Sequence, residues 1–236
     1  MNRTKIEWCD FSWNPIVGCA HGCWYCYARK LAQRFPKNFP NGFEPTFYPE
    51  RLKEPWNYKK PSKIFVYSVA DLFAPWSDPG WRWRVIGSAA QCPVKHTFMF
   101  LTKNPENIDT TIKFPENFWM GTTVTNEFQG ESCLNIESIK RVQCGVRFVS
   151  FEPLLAPLPF NVNLEGIDWV IIGKLTGSRR IKFDPGACWD IINRCVIQDI
   201  PVFIKNNILD LKQKFIGYAD FPRWQDFPKP KLEASQ

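Results

Sequence analysis

The run Lys63-Ile64-Phe65-Val66-Tyr67-Ser68-Val69 decides the fold. It is a continuous apolar stretch and not an alternation of apolar and polar residues. Strands buried on both faces of a parallel sheet read this way. Five further runs share the character: Thr97 to Thr102 (TFMFLT), Phe118 to Val124 (FWMGTTV), Val146 to Phe151 (VRFVSF), Trp169 to Gly173 (WVIIG) and Pro201 to Lys205 (PVFIK). A short strand around Pro15 to Gly18 brings the expected number to seven. Helix-compatible stretches lie at Tyr27 to Phe35, Pro79 to Gln91, Glu131 to Val142 and Ala187 to Asp199. Alternating strands and helices imply βαβ units. The expected fold class is α/β, a partial (β/α) TIM-type barrel with parallel strands; an open doubly wound sheet is the alternative.

Composition bounds the rest. The 236 residues are 44% hydrophobic and 22% charged, as in a globular domain with a real core. One domain is expected over residues 1–221. A long insertion rich in Pro and aromatics occupies residues 36–61, and a tail, residues 222–236, reads as a docked turn followed by disorder. No run approaches the roughly 20 apolar residues of a membrane helix, and Met1 to Asp10 lacks the apolar stretch of a signal peptide. The expectation is a cytoplasmic protein with no membrane partner. A net charge of +7 suits an anionic partner.

Three of the nine cysteines crowd into Gly18-Cys19-Ala20-His21-Gly22-Cys23-Trp24-Tyr25-Cys26, a C-x3-C-x2-C spacing. In a reducing compartment such crowding argues for metal over disulfides. Thiolates are soft ligands suited to iron–sulfur clusters or zinc. Three thiolates on a cluster that usually takes four leave one iron open, and an open metal position marks a reactive site. A Cys3His zinc site would need His21, which sits between the first two cysteines on a loop too short to deliver all four groups tetrahedrally. Cys9, Cys92, Cys133, Cys144, Cys188 and Cys195 lack ligand spacing and read mostly as small buried groups.

C-x3-C-x2-C with an aromatic residue, Tyr25, just before the last cysteine resembles the radical S-adenosylmethionine (SAM) superfamily. Further segments resemble a phage-associated, spore-photoproduct-lyase-like family of unassigned function. These are Lys5-Ile6-Glu7-Trp8, Ser12-Trp13-Asn14-Pro15, Tyr48-Pro49-Glu50-Arg51-Leu52, Ser68-Val69-Ala70-Asp71-Leu72-Phe73, Leu101-Thr102-Lys103-Asn104-Pro105-Glu106, Ser150-Phe151-Glu152-Pro153-Leu154-Leu155 and Asp168-Trp169-Val170-Ile171-Ile172-Gly173. The resemblance implies a 4Fe-4S cluster on Cys19, Cys23 and Cys26, which are both metal ligands and catalytic. It implies reductive cleavage of SAM to a 5′-deoxyadenosyl radical that abstracts hydrogen from a substrate, and an electron donor of the flavodoxin or ferredoxin type. Two departures stand out. The spacing of the first two cysteines is shorter than the family's common one. Gly173-Lys174-Leu175-Thr176-Gly177 stands where the family carries Gly-Gly-Glu-Ser, a lysine gained and an acid lost.

The same resemblance places the backbone of Tyr25 near the adenine, and Ser68 and Asp71 in the segment that binds the cofactor's amino group. Function gathers at the C-terminal ends of barrel strands, which adds Thr102, Lys103, Glu152, Gly173 and Lys205 as cofactor-binding candidates. A lysine there suits the cofactor carboxylate and Glu152 the ribose hydroxyls. Asp71 as a helix cap, Lys103 as plain surface charge and Glu152 as a partner of loop amides are the structural alternatives.

Arg29 to Lys63 carries nine basic and three acidic residues with interleaved aromatics. Such a stretch can meet phosphates and bases, so a nucleotide or nucleic acid is the candidate substrate. A loop pinned to the barrel by its aromatics is the alternative for that stretch. For the whole chain, the alternative function is a non-catalytic iron–sulfur protein that binds nucleic acid or senses redox state.

Overall fold

The computed structural model describes residues 1–125, 131–176, 182–211 and 220–229, with the backbone alone at 131 and 132. Gly177 and residues 230–236 of the tail lie outside them. The chain divides into two compact units, Met1–Ile108 and Asp109–Gln236. Both are mixed α/β, and their strands are mostly parallel.

In the first unit, β1 (Asn2–Arg3) pairs antiparallel with β2 (Phe11–Trp13). β2 pairs parallel with β5 (Lys63–Val66), and β5 parallel with β6 (Thr97–Thr102). Helices α1 (Tyr27–Arg34) and α2 (Pro79–Ala90) lie between successive parallel strands in the chain. The expected first strand at Pro15 to Gly18 is corrected here. Ile16–Val17 (β3) leaves the main sheet and pairs antiparallel with β4 (Thr46–Phe47). Phe11-Ser12-Trp13 supplies the parallel strand instead, because the rings of Phe11 and Trp13 are both buried on the sheet.

The insertion is more ordered than its composition suggests. It holds β4 and short 3-10 turns, several of them opened by proline. Its aromatics from Phe47 onward are pinned to the fold. Phe47 stacks on Trp81 at 5.6 Å, Tyr58 meets Phe11 edge-on at 4.6 Å, and Trp56 Nε1 donates to Ser88 O at 3.0 Å. The buried Trp13 Nε1 reaches Arg51 O at 2.8 Å.

In the second unit, β7 (Phe118–Thr123), β8 (Val146–Leu154), β9 (Trp169–Lys174) and β10 (Val202–Ile204) pair parallel in chain order. Between them in sequence come α3 (Glu131–Lys140) and α4 (Pro185–Ile197), and α5 (Asn206–Leu209) follows β10. Val170, Ile171, Ile172, Val202, Phe203 and Ile204 are all buried, as two-faced coverage of a parallel sheet requires. Asp-Pro-Gly opens both α2 and α4. Asp78 Oδ1 accepts from Gly80 N at 2.7 Å and Asp184 Oδ1 from Gly186 N at 2.8 Å, caps that contribute about 1 kcal/mol each. The described part of the tail docks as an extended segment: Ile204 N–H donates to Trp224 O at 2.8 Å and Asp226 N–H to Val202 O at 3.1 Å. Among the described residues, no helix is long and apolar enough to cross a membrane.

Candidate metal centre

The cysteine loop leaves β3 through Gly18. Its φ of +98° favours glycine, and a Cβ there would lie 2.3 Å from the Glu44 carbonyl oxygen. Gly18 N–H donates to Val69 O at 3.2 Å and Cys19 N–H to Phe43 O at 3.0 Å. The insertion and the turn after β5 therefore grip the loop at its entry. At its exit Cys26 caps α1, its sulfur accepting from Arg29 N–H at 3.4 Å. The Arg29 guanidinium turns back to donate to Cys19 O at 3.1 Å and lies 5.1 Å above the Phe43 ring. One helix residue thus ties the first cysteine to the third.

All three thiols are half-buried. Burial pushes the Cys19 thiol up to about 11; the His21 N–H opposes this, and negative charge on Asp71, Cys23 and Cys26 adds to it. The three sulfurs therefore share one electrostatic neighbourhood. Among the described residues no three His, Cys, Asp or Glu side chains converge as a single metal ion requires. A cuboidal cluster has a looser demand, because each thiolate takes a different iron and the sulfurs stand further apart than around one ion. Three soft, half-buried donors on one short loop fit that group. A Cys3His zinc set would have to pull His21 away from Asp71.

A pH dependence follows. Cys19 would have to lose its proton to bind metal, so assembly of a cluster there would be favoured as pH rises. In the metal-free protein, alkylation of Cys19 by iodoacetamide should climb about tenfold per pH unit from pH 7 to 10, because only the thiolate reacts. Peptide mass spectrometry measures the rate site by site, and a plateau below pH 9 would contradict the assignment.

Asp71 is the hub of the surrounding network. Its carboxylate is buried, 8% exposed. Oδ1 accepts from Phe73 N at 3.1 Å and Thr102 Oγ1 at 2.7 Å; Oδ2 accepts from Lys103 N at 2.9 Å and meets His21 Nε2 at 2.8 Å. These four contacts fill the usual acceptor sites of a carboxylate. Asp71 joins the turn after β5, the end of β6 and the cysteine loop. Lys103 Nζ donates to Tyr25 Oη at 2.8 Å and lies 5.4 Å from its ring centre. Ser68 Oγ faces the Asn14 amide at 3.2 Å, and its carbonyl accepts from the Tyr27 hydroxyl. Of the expected cofactor-binding residues, Tyr25, Ser68, Asp71, Thr102 and Lys103 thus surround the cysteine loop.

The other three belong to the second unit. Lys205 Nζ donates to Glu152 Oε1, and both side chains cross the face of Gly173. A Cβ at Gly173 would lie 3.0 Å from Lys205 Cδ and 3.1 Å from Glu152 Cδ. Glycine at this point lets the ion pair lie against β9. The substituted residue Lys174 is held through its backbone: its N–H donates to Asn207 Oδ1 at 3.3 Å and its carbonyl accepts from Asn207 Nδ2 at 3.0 Å.

A family profile described as "Protein of unknown function (DUF5131)" matches residues 3–209. The chain belongs to the DUF5131 family. The match runs from β1 through α5, so it takes in the cysteine loop, the Asp71 network and the Glu152–Lys205 pair. No curated protein and no solved structure matches the chain.

Sequence reading missed three features of this DUF5131 site. In the sequence His21, one of two histidines, suggests only a zinc ligand, whereas in the fold it meets Asp71. Arg29 carried no signal beyond its charge. Tyr67, just after β5, has a φ of +68°, and among the described residues its buried hydroxyl has no hydrogen-bond partner. Burial pushes that phenol well above its ordinary range. A bulky residue in this conformation stores roughly 1–3 kcal/mol of strain, and nothing in the local sequence announces it. Outside the loop, Cys188 and Cys195 are buried on α4, and burial pushes both thiols up to about 12. Cys9 is buried, and Cys92, Cys133 and Cys144 are half-buried.

Proposed function

We propose that this DUF5131 chain is a radical SAM enzyme, with a 4Fe-4S cluster on Cys19, Cys23 and Cys26 and an unidentified substrate, of which a nucleotide or nucleic acid is the candidate. The observation that carries the reading is the loop itself. Three half-buried thiols sit on an eight-residue span that is gripped at both ends, beside the C-terminal ends of β5 and β6. When bound, the cluster supplies the electron that cleaves the SAM sulfonium.

The chain's own residues then have distinct parts. Cys19, Cys23 and Cys26 hold three irons. Asp71 positions the loop through His21, and it stays a candidate for the cofactor's amino group. Lys103, held beside Tyr25, presents a cation to the cofactor carboxylate. Glu152 and Lys205 remain candidates for the ribose hydroxyls and the carboxylate within the second unit. The same reading takes the fold as a partial (β/α) TIM-type barrel, supported by the parallel strands of each unit. It expects a cytoplasmic enzyme reduced by a flavodoxin- or ferredoxin-type donor.

One observation favours a second reading, a non-catalytic iron–sulfur protein. The acid expected to meet the cofactor is saturated by protein donors. Electron paramagnetic resonance separates the two. After anaerobic reconstitution and reduction, SAM should shift the cluster's g-values, because it chelates the open iron. An assembled cluster whose spectrum ignores SAM would sink the enzyme reading in favour of the second.

A further inference from the structure

Helix α1 is amphipathic in the wrong direction. Its small residues, Ala28 and Ala32, are buried, while Tyr27, Leu31 and Phe35 at its C-terminal boundary are between 38% and 53% exposed. A surface helix normally turns its large apolar face to the core. The spacing of four places Tyr27, Leu31 and Phe35 on one face, a helical turn of about 5.4 Å apart. Trp24, on the cysteine loop itself, is also exposed at 47%. Large apolar side chains left exposed together on one helix face are the kind of surface that marks an interaction site.

Charge says what kind. Residues 11–43 contain no Asp or Glu at all, but four basic residues, Arg29, Lys30, Arg34 and Lys37. Lys30 and Arg34 are exposed on the same side of the helix as the rings, and the Arg34 guanidinium lies 5.3 Å from the Phe35 ring centre. Rings and cations therefore alternate along one face. A partner made only of carboxylates would use the cations and leave the rings wet. A single nucleic-acid strand uses both, since its bases stack on aromatic faces and its phosphates pair with cations. A duplex keeps its bases stacked inside and cannot. The aromatics from Phe47 to Tyr58, which share the basic stretch of the sequence, are pinned into the fold and take no part.

We infer that the outward face of α1, with Trp24, is a docking surface for single-stranded nucleic acid beside the cysteine loop. To call such a strand the substrate rests on the radical SAM reading; the binding itself does not.

The test is fluorescence anisotropy of a labelled 15-nucleotide oligothymidine with the full chain, and with heparin as a polyanion that has no bases. The wild type should bind the oligonucleotide with Kd on the order of 10 μM at low salt, weakening as salt rises. The double variant Lys30→Glu/Arg34→Glu should lose at least tenfold for both ligands. Phe35→Ala should lose about fivefold or more for the oligonucleotide and leave heparin unchanged. Circular dichroism confirms that each variant is folded. No oligonucleotide binding, or binding indifferent to the charge reversals, overturns the inference. So does a Phe35→Ala variant that loses both ligands equally. Capture of an acidic flavodoxin in place of the oligonucleotide would also overturn it and assign the face to the electron donor. Assaying the same samples for 5′-deoxyadenosine keeps the two ideas apart: a strand-binding protein that forms none retains the surface and loses only the chemistry.

Discussion

Cys23→Ala is expected to retain less than one iron per chain after anaerobic reconstitution, against about four for the wild type. Cys23 would be the middle ligand of the loop, and its loss would leave two thiolates, Cys19 and Cys26, on opposite ends of a span gripped by Gly18 and α1. Two protein ligands leave two irons of the cluster open to solvent, and such clusters decompose. The change is local: Cys23 is half-buried, its carbonyl still accepts from Cys26 N–H in the variant, and the side-chain anchors of the loop lie at Arg29 and His21. The apo-protein should therefore melt within a degree or two of the wild type. Iron and sulfide analysis with calorimetry checks both halves. Cys92→Ala, outside the loop, is the control and should keep its iron. A Cys23→Ala protein with a full iron complement would remove the loop from the account.

Asp71→Asn tests the hub. The amide keeps one acceptor oxygen and turns a donor toward either Phe73 N–H and Thr102 Oγ1, or Lys103 N–H and His21 Nε2. Hydrogen bonds to a buried charged group are worth roughly 1.5–3 kcal/mol each, and an inverted one leaves a donor unpaired. The expected loss is about 3 kcal/mol, or roughly 6–12 °C in melting midpoint for a chain of this size. Freed from Asp71, the His21 segment should also loosen, so alkylation of Cys19 and Cys23 in the apo-protein should accelerate. A cofactor-binding role alone predicts the opposite pattern: unchanged stability and thiol reactivity, with weaker SAM binding. Differential scanning calorimetry and mass spectrometry distinguish the two.

How much of this was legible in the sequence follows from the range of each interaction. Val170 to Ile172 and Val202 to Ile204 are buried on both faces, and that condition is written into a continuous apolar run. The parallel strands were therefore readable, whereas the start of α4 was placed at Ala187, two residues inside the helix that Asp184 caps. The first strand was misplaced because Ile16-Val17 and Phe11-Ser12-Trp13 are both short and apolar. Only the pairing of β3 with β4, thirty residues on, separates them. The cysteines were legible because their spacing is local. The saturation of Asp71 was not, since its donors come from positions 21, 73, 102 and 103. Nor was the outward face of α1: periodicity alone turns Tyr27, Leu31 and Phe35 inward, and only close packing on Ala28 and Ala32 turns them out.

A radical SAM enzyme must cleave SAM at a cluster held by this loop. Anaerobic, reconstituted protein incubated with dithionite and SAM should release 5′-deoxyadenosine, quantified by chromatography, well above a parallel sample of Cys23→Ala. A fully loaded cluster that releases no more than that variant would contradict the radical SAM reading.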